Sequence, residues 1–250
     1  MVLPVSRYLD GCCGIGGISA GLASAGHEVW GVDINPAVRD DYLRSGAAEF
    51  ICADILEVLS DTSFMRQFDA ASVSPECQGY SKMSHCRPGL AATYPRLIRP
   101  VREHLEALPF PLPWVIENVS SKDARLEMQD PVTVLCMYGH FGREFYRHRL
   151  LRAGGGLVLE PPPSPACVLS GRQDKPNSEC GRPHPVATAK AGHWKEGLFV
   201  SVAGHERKEP VRRVMEITWA RKREDIAEAV PPYVGAYIAE QFEAHLGLAA

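Results

Sequence analysis

The sequence predicts a doubly wound α/β fold, and three observations support that prediction. Strand-like and helix-like segments alternate through the first half of the chain, which favours a parallel sheet with helices on its faces. A glycine-rich turn follows the first strand-like segment at residues 11–17. The 45% hydrophobic content of the 250 residues is enough for one large domain with a sizeable core.

The predicted strands are short apolar runs, most of which end at acidic or polar residues. They cover residues 5–9, 28–32, 50–52, 69–74 and 114–116. Asp33, Asp54 and Glu117 follow three of these runs, and Pro75 breaks the fourth into a polar loop. Ligands of open α/β folds bind outside the carboxyl ends of the strands, so we expect these residues to face a crevice.

The predicted helices rest on capping residues and on apolar spacing. The first covers residues 18–25 and is closed by Gly26, and Asn35 caps the second with Pro36 at its first position. The last has apolar residues at every fourth position, and we expect it to pack beside the first strand. Further ordered segments are residues 98–108, a helix start at Asp130-Pro131 followed by 132–136, then 212–218, 224–230 and the last helix, 234–245.

Composition divides the chain into three parts. Residues 153–210 contain a glycine triplet, a proline triplet and little periodicity, which predicts a small loop-rich region between residues 1–152 and a returning segment, 211–250. Residues 1–75 hold 4 Lys/Arg and 10 Asp/Glu, and the remainder is mildly basic. That split fits a small-molecule half joined to a surface that meets phosphates, although ordinary fluctuation explains it equally well.

The sequence lacks signals for membranes and for export. No stretch approaches the roughly 20 apolar residues of a membrane span, and no signal peptide is evident. We therefore expect a cytoplasmic protein. Its eight cysteines show no disulfide-framework spacing, so we expect reduced thiols.

The glycine turn, DGCCGIGG at residues 10–17, predicts a nucleotide-like ligand at the start of the first helix. Asp33 lies 17 residues after Gly16, near the distance at which a carboxylate binds ribose hydroxyls in dinucleotide folds. Asp54 could accept a hydrogen bond from an adenine amino group. The Gly-x-Gly-Gly spacing favours an adenosine-containing ligand without a pyrophosphate over a nicotinamide dinucleotide.

Cys77, in the run VSPECQGYS at residues 73–81, is the candidate nucleophile. Cysteine reacts as a thiolate, which requires positive or hydrogen-bonding neighbours. Taken singly, each candidate also has an ordinary structural interpretation. Cys77 fits a small core residue, Glu117 a surface or capping carboxylate, and Arg147 and Arg149 solvated side chains.

Six motifs in one order resemble those of the DNA cytosine-5 methyltransferase family, most of all its compact bacteriophage-encoded members. They are Asp10 with the glycine turn, Asp33, Asp54-Ile55, Pro75-x-Cys77-Gln78, Glu117-Asn118-Val119 and Arg147-x-Arg149. The ending IAEAVPPY, residues 226–233, recurs in the same branch. The resemblance covers residues 8–152 and about 212–242, and it implies a Rossmann-like S-adenosylmethionine-dependent methyltransferase with a target-recognition region at 153–210.

The resemblance also implies a role for each site residue. Cys77 would add to C6 of cytosine, Glu117 would hold a proton against N3, and Arg147 and Arg149 would orient the base through O2. Asn118 is better suited to bracing the loop than to contacting substrate. The implied S-adenosylmethionine contacts are Asp10, Cys12, Gly14, Gly16, Gly17, Ile18, Asp33, Ile34, Asp54 and Ile55. The implied substrate contacts are Gln78, Ser81, Lys82 and Asn118, on or beside a closing loop that also carries Arg87 and Arg96.

Four positions depart from the family pattern. Glu76 stands where the family usually has a proline, and a carboxylate there would raise the pKa of the thiol if it points inward. Phe145 replaces a glutamine and Ile18 an aromatic residue that would stack on adenine. Tyr233 stands near the place of an asparagine in the last motif.

The implied partner is double-stranded DNA in a bacterial or phage-infected cell, with the target base flipped out of the helix. We expect a monomer without a metal ion, because Cys167, Cys180, His184 and His193 are too irregularly spaced to indicate a zinc site. Three alternatives stay open. They are modification of tRNA with the same chemistry, transfer of a different group to C5, and a DNA-binding protein that has lost catalysis.

Overall fold

One mixed sheet of seven strands forms the centre of the computed structural model, which describes residues 5–81, 89–145, 147–162, 188–190, 192–202 and 206–248. The strand order is β3-β2-β1-β4-β5-β7-β6. The first five strands are parallel, and β7 runs antiparallel to both β5 and β6. Their bounds are β1 Arg7–Gly11, β2 Glu28–Asp33, β3 Glu49–Cys52, β4 Ala70–Val73, β5 Trp114–Val119, β6 Thr133–Cys136 and β7 His148–Gly154.

Helices cover both faces of the sheet, which confirms the predicted doubly wound α/β class. In the described part of the chain, two short 3-10 turns, Pro36–Val38 and Ala91–Thr93, accompany them. The α-helices among the described residues are α1 Gly17–Ser24, α2 Arg39–Leu43, α3 Ile55–Ser60, α4 Thr62–Met65, α5 Ile98–Glu106, α6 Lys122–Met128, α7 Met137–Phe141, α8 Lys208–Met215, α9 Arg223–Glu228 and α10 Pro232–Leu246.

The five predicted strands and the last predicted helix are confirmed, with ends that differ by a few residues. The helix predicted to start at Asp130-Pro131 is wrong, because residues 133–136 form β6. Thr133 and Val134 are β-branched and pair with β7, and this pairing overrides the local helix-start signal. Strand β7 itself has no counterpart among the predicted elements.

The chain returns at its C-terminus to pack α10 against α1 and β1. A Cβ atom built on Gly17 would lie 1.9 Å from the carbonyl oxygen of Val230, so only glycine permits this approach. The ring of Phe242 lies 5.3 Å from that of Tyr8 on β1. The predicted position of the last helix beside the first strand is therefore confirmed.

The strand order reverses between β1 and β4, which are neighbours in the sheet although the chain places β2 and β3 between them. Such a reversal leaves a crevice at the carboxyl ends of the two strands, where ligands of this architecture bind. The glycine turn follows β1 and the Cys77 loop follows β4, so both open into this crevice.

The chain after β7 adds buried apolar residues to the hydrophobic core. Strand β7 continues to Gly154, and Leu157, Phe199 and Val200 are buried. The backbone N–H of Val200 donates to the carbonyl of Glu144 at 2.8 Å, which ties the described part of the middle region to the segment before β7. No helix among the described residues is long and apolar enough to cross a membrane.

Candidate active site

A cavity of about 530 Å³ lies at the carboxyl ends of the parallel strands. It joins the glycine turn at one end to the Cys77 loop at the other. The predicted site residues that line it are Asp10, Cys12, Gly14, Gly17, Ile18, Asp33, Ile34, Asp54, Ile55, Cys77, Gln78, Glu117 and Arg149.

The glycine turn owes its shape to three residues with positive φ. Gly14 (51°), Gly16 (79°) and the non-glycine Cys12 (55°) adopt the left-handed region. The N–H of Gly14 donates to Oδ2 of Asp33 at 2.8 Å, and the N–H of Asn35 donates to Oδ1 at 2.9 Å. Asp33 therefore braces the turn as well as lining the cavity, while Gly16 serves as the N-cap of α1.

Asp10 presents a buried carboxyl group to the cavity. Its side chain accepts hydrogen bonds through Oδ2 from the backbone and hydroxyl of Ser19, while Oδ1 has no hydrogen-bond partner among the described residues. Burial raises the pKa of Asp10 to about 7, against the Ser19 hydrogen bonds, which lower it. An unpaired buried oxygen of this kind is suited to a cationic or N–H group of a ligand.

Three further residues were predicted to contact the cofactor at the ends of β2 and β3. Oδ1 of Asp54 accepts from the N–H of Leu56 at 2.8 Å and caps α3, so the carboxylate has a structural role in addition to any ligand contact. Ile55 is buried and Ile34 is 71% exposed, although both line the cavity. Ile34 and Ile55 therefore add apolar surface to a part of the lining that also contains the carboxylates of Asp33 and Asp54.

The Cys77 loop is held on both sides of the cysteine. The Nδ2 atom of Asn118 donates to the carbonyl of Pro75 at 2.8 Å, and the N–H of Gln78 donates to Oε1 of Glu76 at 2.8 Å. Asn118 is 1% exposed and therefore braces the loop from β5. The half-buried Cys77 side chain faces the cavity.

Glu117 and Arg149 form a buried ion pair on neighbouring strands. Arg149 pairs in register with Val119, two residues after Glu117, so both side chains emerge on the same face. Nε of Arg149 lies 2.8 Å from Oε1 of Glu117, and the side chains are 4% and 5% exposed. The contact between these two atoms is an ion pair without a well-aligned hydrogen bond, and both residues line the cavity.

The charges around Cys77 oppose one another. Burial raises the pKa of the thiol, and the carboxylates of Glu76 and Glu117 raise it further. The guanidinium of Arg149 is the largest influence in the opposite direction, and Arg147 adds to it. The free thiol is therefore held mainly in its protonated form, and thiolate formation depends on the balance between these two arginines and the carboxylates.

Arg147 lies just before β7 and reaches the segment that precedes α10. Its guanidinium donates to the carbonyl of Glu228 at 3.3 Å and contacts the sulfur of Met215 at 3.4 Å. Burial and the charge of Arg149 lower the pKa of Arg147. Arg147 therefore holds the part of α9 that contains Glu228, a residue that lines the cavity.

The structure adds site residues that were not predicted. The cavity is also lined by Asp225, Glu228, Ala229 and Val230, and Nε2 of Gln78 lies 3.5 Å from Oε1 of Glu228. Burial, followed by the charge of Glu76, raises the pKa of Glu228. The recurrent ending at residues 226–233 was the available signal for this wall.

The loop after Cys77 is anchored where it leaves the cavity. The hydroxyl of Tyr80 donates to Glu127 at 2.6 Å, and the guanidinium of Arg96 stacks 4.6 Å from the Tyr80 ring while pairing with Glu127 and Asp123. Arg96 thus fixes the loop end, and its expected phosphate contact stays a prediction. Ser81 follows Tyr80 at the edge of the described segment. Lys82 and Arg87 lie outside the described residues.

The structure also describes three residues that depart from the family pattern, namely Ile18, Phe145 and Tyr233. Phe145 is buried and Ile18 packs in the core beside the cavity. The hydroxyl of Tyr233 donates to the carbonyl of Val214 at 3.3 Å, and its ring packs 5.0 Å from that of Phe141. Cys167, Cys180 and His184 lie outside the described residues.

A comparison with protein families gives a match over residues 6–124 to the family model described as C-5 cytosine-specific DNA methylase. This part of the chain is similar to that family. The matched residues include the glycine turn, the acidic strand ends, Cys77 and Glu117. Members of that family use S-adenosylmethionine. No curated protein sequence matches the chain significantly.

Solved structures with low sequence identity share the fold. The Dnmt2 methyltransferase of S. pombe is 16% identical with a TM-score of 0.56, over 97% of this chain and 99% of that one. The methyltransferase EhMeth of Entamoeba histolytica is 13% identical with a TM-score of 0.58, over 97% and 99%. A DNMT2 variant of Spodoptera frugiperda is 14% identical with a TM-score of 0.57, over 95% and 99%. The chain therefore has the Rossmann-like α/β methyltransferase fold.

Proposed function

We propose that this protein transfers a methyl group to C5 of cytosine in double-stranded DNA through a covalent intermediate on Cys77. The observation that supports this most is the placement of Cys77, Glu117 and Arg149 on the wall of one cavity with the glycine turn. A thiol, a carboxyl group and a guanidinium are the groups that this reaction needs beside the base.

Cys77 supplies the nucleophile. Its thiolate forms a bond to C6 of the cytosine, and the electron pair of the C5–C6 double bond moves toward C5 and N3. After C5 has gained the methyl group, its proton leaves and the sulfur–C6 bond breaks. These last two events restore the aromatic ring and the free thiol.

Glu117 and Arg149 bind the polar edge of the base. A carboxyl group on Glu117 can hold a proton at N3 and accept from the exocyclic amine, which neutralises charge that arrives on the ring. The Arg149 guanidinium donates to O2 and stabilises the thiolate. The position of this ion pair supports the assignment, because both side chains line the cavity together with Cys77.

The glycine-turn end of the cavity fits S-adenosylmethionine, which supplies the methyl group when bound. The unpaired Oδ1 of Asp10 suits its ammonium group, and the carboxylates of Asp33 and Asp54 suit ribose hydroxyls and the adenine amine. Ile18 and Ile55 provide apolar contact in place of an aromatic stack. The predicted contacts of Cys12, Gly14, Gly17 and Ile34 lie on the same wall.

The substrate must present an unstacked cytosine, because Cys77 and Glu117 lie inside the cavity rather than on a surface. We propose that residues 153–210 contribute to target recognition, with Lys190 and Lys195 among the described basic residues of that region. The predicted roles of Gln78, Ser81 and Lys82 as base or phosphate contacts are part of the same proposal.

The decisive experiment is covalent trapping. Duplex DNA containing 5-fluorocytosine should form a denaturation-resistant adduct with the protein in the presence of S-adenosylmethionine, since fluorine at C5 blocks release. Cys77→Ser should abolish both the adduct and the methylated product, whereas Cys52→Ser, at an exposed cysteine, should retain both. Product formation by Cys77→Ser would refute the mechanism. Running the assay with tRNA and analysing the nucleosides by mass spectrometry would separate DNA from RNA modification and methyl from another group.

A further inference from the structure

Glu76, the residue before Cys77, carries a carboxylate that the proposed reaction does not use. Glu76 lines the cavity next to Cys77, and its Oε1 accepts a hydrogen bond from the N–H of Gln78 at 2.8 Å. This hydrogen bond joins the residue before Cys77 to the residue after it, and it therefore restrains the backbone at Cys77. The proposed reaction gives a role at the base to the carboxyl group of Glu117 and none to that of Glu76.

The hydrogen bond has a clear mechanical consequence. Asn118 fixes the carbonyl of Pro75 on one side of the cysteine, and Glu76 fixes the N–H of Gln78 on the other. Both ends of the four-residue segment 75–78, which contains Cys77, are therefore anchored by side chains. A proline in place of Glu76 would restrict φ by its ring, whereas here a side-chain hydrogen bond supplies the restraint.

We propose that Glu76 is a positioning residue that holds the Cys77 thiol in its reactive orientation through the hydrogen bond to the Gln78 N–H. This inference rests on the proposed function of Cys77. It assigns to Glu76 the restraint that the backbone of a proline would otherwise provide.

The carboxylate also has an electrostatic effect that a merely mechanical restraint would lack. Glu76 raises the pKa of the Cys77 thiol, and it raises the pKa of Glu228 as well. The other charged or titratable groups that face this part of the cavity are Glu117 on β5, Arg149 on β7, Arg147 before it, Asp225 on α9 and Cys12 in the glycine turn. Replacing Glu76 by glutamine removes one negative charge from this set while keeping an oxygen that can accept from Gln78.

The test separates the hydrogen bond from the charge with two variants. Glu76→Gln keeps an acceptor and removes the charge, and Glu76→Ala removes both. Hydrogen exchange of the Gln78 amide, followed in the peptide over residues 75–81, should be faster in Glu76→Ala than in the wild type and close to the wild type in Glu76→Gln. The value of kcat should fall at least about tenfold in Glu76→Ala with little change in KM for DNA, and Glu76→Gln should recover most of that loss.

Alkylation of Cys77 by iodoacetamide across pH 6–10, quantified by peptide mass spectrometry, reports the charge without requiring methyl transfer. The midpoint should move to lower pH in both Glu76 variants, because each removes a negative charge beside the thiol. It should not move in Glu240→Gln, a matched change at an exposed position of α10. Equal exchange and equal kcat in the alanine and glutamine variants would overturn the hydrogen-bond role. If the wild type showed no methyl transfer, exchange and alkylation would still decide the role of Glu76.

Discussion

Replacing Arg149 by methionine should destabilise the protein by several kcal/mol and make the Cys77 thiol less reactive. The side chains of Arg149 and Glu117 are 4% and 5% exposed, with Nε and Oε1 2.8 Å apart. At an effective dielectric constant of about 20, two unit charges at that distance attract by roughly 6 kcal/mol, much of which offsets their desolvation. Removing one partner leaves the other charge buried and unpaired, which costs about 3–5 kcal/mol.

Urea unfolding followed by circular dichroism measures this cost in a double-mutant cycle. Arg149→Met and Glu117→Gln are compared with the double variant, in which no charge is left alone. The double variant should be more stable than the sum of the two single effects predicts, by about 1–3 kcal/mol. Arg125→Met is the matched control, because Arg125 pairs with Asp130 at 2.7 Å with both side chains largely in solvent, and its loss should cost under about 1 kcal/mol.

Alkylation of Cys77 in the same variants tests the electrostatic half of the prediction. Since Arg149 is the strongest influence that lowers the pKa of this thiol, Arg149→Met should shift the alkylation midpoint to higher pH. Additive single effects on stability, or a midpoint that does not move, would refute the reasoning that this pair is a coupled charge system beside the nucleophile.

Three further changes test other parts of the structure. Burial raises the pKa of Asp10 to about 7 in the folded state, against about 4 in the unfolded state. Between these values the folded state keeps a proton that the unfolded state loses. The free energy of unfolding should therefore fall by up to about 1.4 kcal/mol for each unit by which the pH rises. Asp10→Asn should remove that slope in urea unfolding at pH 5 and pH 7. Gly17→Ala should cost about 1–3 kcal/mol in thermal unfolding, because its methyl group would lie 1.9 Å from the Val230 carbonyl. Tyr80→Phe should cost about 1.5–3 kcal/mol, because its buried hydroxyl donates to the Glu127 carboxylate at 2.6 Å.

Matched controls make these outcomes specific. Gly79→Ala should cost less than Gly17→Ala, because the nearest atom to its added methyl group would lie 3.4 Å away. If Asp10→Asn kept the wild-type slope, the proton would belong to another group, and a tolerated alanine at Gly17 would mean that α1 and α10 separate easily.

The parallel part of the sheet could be predicted because its strands are apolar runs bounded by polar residues. The same rule ended β5 too early, at residue 116, although the strand continues through Glu117 and Asn118 to Val119. Those two polar residues are buried in the strand because they serve the cavity and the Cys77 loop. Hydrophobic patterning therefore fails where a strand carries its functional side chains inside the fold.

The antiparallel edge was less accessible to sequence reasoning. A strand prediction for residues 133–136 depends on pairing with β7, which the chain reaches only after α7. The placement of Asp225 and Glu228 at the cavity was equally hard to predict. About 150 residues separate Glu228 from Gln78, which it approaches in the structure. Local patterns identify the ends of strands, but they do not show which distant helix closes the crevice.

In the proposed reaction, Glu117 couples binding of the base to activation of the Cys77 thiol. While Glu117 is ionised, its carboxylate attracts the Arg149 guanidinium and raises the pKa of Cys77. In the proposed reaction the same carboxyl group shares a proton with N3 of the base. A neutral Glu117 no longer opposes the thiolate, and Arg149 remains as a positive charge beside it. In the proposed reaction, base recognition therefore changes the charge balance in the direction that favours attack by a thiol that is held protonated in the free protein.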